Sequence, residues 1–269
     1  MLGKMLKYDI KDYSKSMLPI CLMLLIMSVI TRIFYTISES FEGLKATFSI
    51  LFGISTFIFC ITIIISLVYC FFISVKNYYK KVLKDEGYLT HTLPVRKSTI
   101  ILSQIISSII WLFIICIIIL ATLAIAYYQK GMISSFINIM NSEMSSELIV
   151  SPIVTLIIIA VMMICSYIAT VLAIYCSMTI GHSFSNNKIA YSIVTGVVFY
   201  VVYQVLGIVA VVAVIACNYG SLETMINGMT MTENVLIQLI VSTFITNVII
   251  GIASYILTNY NLKKRLNLE

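Results

Sequence analysis

Only two histidines occur in the 269 residues, His91 and His182. The second opens the stretch HSFSN, where His182 and Asn186 have a spacing found in some intramembrane proteases. Those enzymes need paired glutamates on a neighbouring helix, and the sequence supplies none, so neither histidine is read as catalytic or as a metal ligand. Seven cysteines (Cys21, Cys60, Cys70, Cys116, Cys165, Cys176, Cys217) are scattered without a C-x-x-C pair, which reads as small apolar packing residues. No G-x-x-x-x-G-K-[ST] loop exists to cradle a nucleotide phosphate, so the chain cannot hydrolyse ATP alone. No G-x-S-x-G elbow presents a serine nucleophile either.

What remains is charge and polarity inside apolar runs. The chain is 61% apolar and only 10% charged, with a mean hydropathy of +1.06. Six apolar runs, at about 17–37, 47–76, 98–128, 148–180, 188–217 and 235–258, each exceed the roughly 20 residues that a bilayer crossing needs. They are continuous rather than alternating, which excludes barrel strands. Apart from Lys76 and Lys188 at the very ends of their runs, Arg32 is the single charge within a run, near its outer end, from where it can snorkel to the interface. No Asp or Glu lies inside any run, which argues against a proton-coupled carrier built on buried carboxylates.

Weakly polar faces do occur. Gly196, Tyr200, Tyr203 and Gly207 share a face of the fifth run, with Gln204 beside them. Thr243, Asn247, Gly251 and Ser254 align in the sixth, and Gln104, Ser107, Ser108 and Trp111 cluster in the third. Small and weakly polar residues suit helix packing in lipid. The alternative role, for Tyr200, Tyr203, Gln204, Thr243 and Asn247, is to line a substrate path or a subunit interface.

Orientation follows from the basic residues. With six crossings, one side collects 14 of the 17: Lys4, Lys7, Lys11, Lys15, Lys76, Lys80, Lys81, Lys84, Arg96, Lys97, Lys188, Lys263, Lys264 and Arg265. Arg32, Lys45 and Lys130 fall on the other. Both termini are therefore expected in the cytoplasm, and the net charge of +6 reflects topology, with no basic, aromatic-interleaved face for nucleic acid. No small-x-small cleavage site follows the first run, so it is expected to stay as an anchor. Residues 1–16 read as a separate amphipathic interfacial helix: Lys4, Lys7, Lys11 and Lys15 form a basic stripe, with Leu2, Met5, Leu6, Ile10 and Tyr13 opposite and Asp9 interrupting them. The fold class is thus an all-α membrane protein, a six-helix transmembrane domain over 17–269 preceded by this helix.

One connector stands out. Residues 80–98, KKVLKDEGYLTHTLPVRKS, place a charged stretch between the second and third runs, with Gly87 expected to break the chain. The longer stretch DEGYLTHTLPVRKSTIILSQIISSIIW resembles the inner connector of ABC-2-type permeases, the six-helix subunits of bacterial ABC exporters, through Glu86, Gly87, Tyr88, Leu89, Leu93, Pro94 and Val95. The stretch MTIGHSFSNNKIAYSI resembles that family's fourth-to-fifth connector, with Gly181 ending one helix and Lys188 opening the next.

The resemblance implies a permease that pairs with a second copy or a paralogue and with separate ATP-binding subunits, which carry the ATP and Mg. It makes the 77–97 connector a coupling element seated in the ATPase. Val82, Leu83, Tyr88 and Leu89 would form its apolar knob. Lys80, Lys81, Lys84, Asp85 and Glu86 would form the charged rim, with Gly87, Leu93 and Pro94 shaping it. Gly181, His182 and Lys188 would make a second cytoplasmic contact. The expected location is a bacterial plasma membrane. The alternative readings are an ATP-independent assembly or immunity protein and, last, a membrane enzyme.

Overall fold

A computed structural model describes residues 2–40, 45–84, 86, 87, 92, 95–129, 134, 135, 138, 152–184, 187–218 and 233–264. They form six long helices: α1 (Leu2–Ser40), α2 (Lys45–Tyr78), α3 (Lys97–Tyr127), α4 (Pro152–Gly181), α5 (Lys188–Cys217) and α6 (Glu233–Lys264). A wide π turn, Tyr79–Leu83, extends α2. All six helices are long and apolar enough to cross a membrane. Among the described residues there is no strand.

The chain divides into two compact units. The first holds α1, α2 and α3; the second holds α4, α5 and α6 together with residues 81–93.

In the first unit α1 differs from the sequence expectation. No separate helix ends near residue 16; one helix of 39 residues runs from Leu2 to Ser40 with Pro19 inside it. The reason lies in its buried stripe of Asp9, Tyr13, Met17, Cys21, Leu24, Ser28 and Thr31. This stripe keeps a three-or-four-residue step straight through residue 16, so one packing face serves both halves. Lys4, Lys7, Lys11 and Lys15 are all exposed, away from it. At 1.5 Å per residue α1 is about 58 Å long, well beyond the roughly 30 Å hydrocarbon core, so part of it projects.

Two apolar clusters join the three helices. Tyr13 and Met17 meet Cys70, Ile73, Trp111 and Ile115, and Leu24 meets Phe59 and Ala126. Trp111 donates its indole N–H to the Ile10 carbonyl at 3.3 Å, tying α3 to the basic half of α1. Several buried hydroxyls bond their own helices, as with Ser28 to Leu25, Ser66 to Ile63 and Ser107 to Ser103, while the Thr56 hydroxyl has no partner among the described residues. A polar group inside lipid needs such an internal partner.

In the second unit small residues set the helix spacing. A Cβ on Gly251 of α6 would lie 3.8 Å from the Ala169 Cα of α4, an ordinary contact. Gly196 of α5 faces Ser177 of α4 in the same way. Gly181 lies closer still to α5, so close that a Cβ there would be 2.4 Å from the Ser192 backbone nitrogen. Of the six helices, α5 stands apart in burying none of its residues.

Candidate functional site

The connector after α2 is anchored by its first residues. Val82 is 0% exposed and Leu83 6%, and Lys81 and Gly87 are buried as well. The Gly87 N–H donates to the Lys84 carbonyl at 2.6 Å and closes a turn at the predicted break. Val82 and Leu83, expected as part of an apolar knob offered to a partner, are instead covered by the chain itself. The signal was present in the sequence: Ser66, Cys70, Ser74 and Tyr78 form the buried stripe of α2, and Val82 is its next step. Lys84, Thr92 and Arg96 are exposed and Glu86 is half-buried. Asp85, Tyr88, Leu89, His91, Leu93 and Pro94 lie outside the described residues.

The α4–α5 hairpin does bring Gly181, His182 and Lys188 together, though mostly inward. Gly181 is buried, His182 is 6% exposed, and Lys188 is half-buried. The His182 Nδ1 is 2.9 Å from the Met178 carbonyl, a geometry that fixes Nδ1 as the protonated nitrogen. Burial pushes the imidazole below its ordinary pKa; the Met178 carbonyl opposes this and the Lys188 charge adds to it. Asn187 turns the chain with a left-handed φ of 49°. The hairpin leaves Phe184 and Tyr191 exposed and stacked at 4.5 Å, with Ile189 exposed beside them.

A groove follows α5. One cavity of about 480 Å³ lies between Ser166, Thr170 and Ser177 of α4 and Gly196, Tyr200 and Tyr203 of α5, with Gln204 and Ile250 also on its wall. A second, about 370 Å³, is lined by Tyr203, Gln204, Gly207, Thr243 and Thr246. Between them Tyr203 donates its hydroxyl to the Asn247 Oδ1 at 3.0 Å, and the Asn247 amide donates to the Thr243 carbonyl at 2.9 Å. The five polar residues singled out in the fifth and sixth runs therefore converge on one region, although Asn247 itself is buried behind the lining. Tyr200 is 63% exposed at the rim.

The polar residues of α3 go elsewhere. Gln104, Ser107, Ser108 and Trp111 are all buried; the serines bond their own helix, while the Gln104 Oε1 has no partner among the described residues.

Two residues carry more than the sequence suggested. Asp9, taken for an interruption, is 5% exposed on the packed face of α1, four residues before Tyr13 and eight before Met17. Arg32 does not merely snorkel. Its guanidinium donates to the Tyr128 carbonyl at 2.8 Å, satisfying the end of α3, and lies 5.5 Å over the Tyr35 ring. Tyr35 in turn donates to Glu39 and accepts from the Gln129 amide, both at 2.8 Å. Only the fold could bring residues 32 and 128 together.

Among the described residues no three His, Cys, Asp or Glu side chains come together as a metal site. No family model, no curated protein and no solved structure matches this chain.

Proposed function

We propose that this chain is the membrane-spanning permease subunit of an ATP-driven, ABC-2-type exporter in a bacterial plasma membrane. It works beside a second copy or a paralogue, both termini face the cytoplasm, and a separate ATP-binding subunit supplies ATP and Mg. The observation that carries the reading is the connector: Glu86, Gly87, Tyr88, Leu89, Leu93, Pro94 and Val95 in family order, between two membrane-length helices. Buried Val82 and Leu83 act as the footing of this element, while exposed Lys84 and Arg96 suit the steering of a charged partner. Contact with the ATPase then falls to Tyr88 and Leu89.

The test is affinity purification of the tagged full-length chain from its native membrane. A polypeptide with a Walker-type nucleotide loop is expected in roughly equal amount, and Lys84→Glu with Arg96→Glu is expected to cut its yield severalfold at unchanged insertion. A chain that purifies alone and stable overturns this reading. It would favour an ATP-independent assembly or immunity protein, a role consistent with inner hairpins that turn Val82, Leu83 and His182 inward.

A further inference from the structure

Gln204 lies near the middle of α5, a helix long and apolar enough to cross the bilayer, and its side chain is exposed. Among the described residues its amide has no hydrogen-bond partner. Its neighbour Tyr203 is engaged with Asn247, and the nearby hydroxyls of Thr243 and Thr246 bond their own backbone. In hydrocarbon an unpaired amide is costly, by roughly 1–3 kcal/mol on mutational scales. Some occupant must meet it.

The cavities around Gln204 describe that occupant. The two share Tyr203 and Gln204. Together they follow α5 from Gly196 to Val212, about 24 Å at 1.5 Å per residue, most of the hydrocarbon thickness. Each cavity falls in the 300–1,000 Å³ range of ligand sites. No charged residue among the described ones lines either. The matching molecule is elongated, apolar and uncharged, with one hydrogen-bonding group at mid-depth.

The chemistry of that group follows from the primary amide, which offers both a donor and an acceptor. An ester or ether lipid offers acceptors only and leaves the Gln204 carbonyl unmet. An extended peptide offers both, because the N–H and C=O of one residue lie on the same edge of the strand. We propose that the groove along α5 binds an uncharged apolar peptide in extended conformation, and that Gln204 pairs with the backbone of one of its residues. Calling this peptide the exported cargo rests on the permease reading; the binding itself does not.

The experiment uses the full-length chain in lipid nanodiscs without any ATPase, so its outcome is independent of the co-purification test above. The probe is a dansyl-labelled, capped Leu-Val-Leu-Val-Leu peptide amide, compared with the same molecule carrying backbone esters in place of the internal amides. Gln204→Leu is expected to weaken the peptide about tenfold, the loss of two neutral hydrogen bonds, and to leave the ester analogue within twofold. Gly207→Leu, at a position whose Cβ would meet open space, is expected to weaken both probes by filling the groove. Unchanged peptide affinity in Gln204→Leu overturns the proposal. So does efficient cross-linking of Gln204→Cys chains to each other in the membrane, which would give the amide a second copy of itself as its partner.

Discussion

Replacing Gly181 with alanine adds one methyl group, and the structure says where it goes. The new Cβ would sit 2.0 Å from the Ser192 Oγ, 2.4 Å from its backbone nitrogen and 2.5 Å from its Cα. The hydroxyl can rotate away, but the nitrogen and Cα are fixed to α5. Ordinary contact begins near 3.4 Å, so α5 has to retreat by about 1 Å at this turn. That retreat stretches the bond from the Thr195 hydroxyl to the Ser177 carbonyl, now 2.9 Å, and loosens the α4–α5 hairpin around His182. Overpacking of this kind costs about 1–3 kcal/mol, and backbone on both sides puts it at the upper end. At roughly 2–4 °C per kcal/mol the apparent Tm should fall by about 10 °C. Thermal denaturation of the purified chain in detergent, with Gly53→Ala and Gly207→Ala as controls, reads this directly. Both controls add a Cβ into open space within a helix and should be neutral or stabilising by up to about 1 kcal/mol. Adding Ser192→Gly to Gly181→Ala should recover only a small part of the loss, because the nitrogen and Cα clashes persist. A Gly181→Ala protein as stable as the controls would refute the close approach of α4 and α5.

At the other end of the chain, Arg32→Leu should lower the apparent Tm by a few degrees, since a partly exposed charged hydrogen bond is worth about 1 kcal/mol, and Tyr35→Phe should lower it similarly by cutting two bonds. Equal stability of both variants and the parent would make this network incidental. His182 sets a pH dependence. Its folded pKa is depressed, so below about 6.5 the unfolded chain binds a proton that the folded chain resists. Stability is therefore complete above that value and declines as the pH falls through it. His182→Asn should flatten the decline in Tm between pH 7.5 and 5.5, and a parallel pair of curves would count against the burial argument.

The helices were legible because their cause is local. The fifth run, 188–217, matches α5 residue for residue, and the third differs from α3 by one residue at each end. Apolar length is a property of consecutive residues, and lysines mark where it stops. The missed feature of α1 had a local signature too: Asp9 keeps the four-residue step of Tyr13 and Met17, but its charge argues for solvent when read alone. Val82 departs from expectation for the opposite reason: an apolar residue in a charged stretch suggests a contact surface, although it continues the stripe of Tyr78. The Arg32 cap on Tyr128 and the Gly181 approach to Ser192 depend on how helices meet, which no single stretch encodes.

The polar residues inside these helices divide by what their side chains can reach. Serine and threonine hydroxyls are short and can return to a carbonyl three or four residues back, so Ser66, Ser107 and Thr246 carry no demand beyond their own helix. An amide offers several bonding positions and seldom satisfies them all that way. Asn247 engages both ends of its amide, the oxygen with Tyr203 and the nitrogen with Thr243, whereas among the described residues the Gln104 Oε1 and the Gln204 amide have no partner. Gln104 is 1% exposed, so whatever completes it has to fit inside the chain, as a buried water would. Gln204 is open to its surroundings, and lipid tails offer it nothing. Gln238, at the start of α6, at least accepts from the Asn218 amide, whereas Gln204, near the middle of α5, has no partner among the described residues, and a molecule lying along α5 is where that partner should be sought.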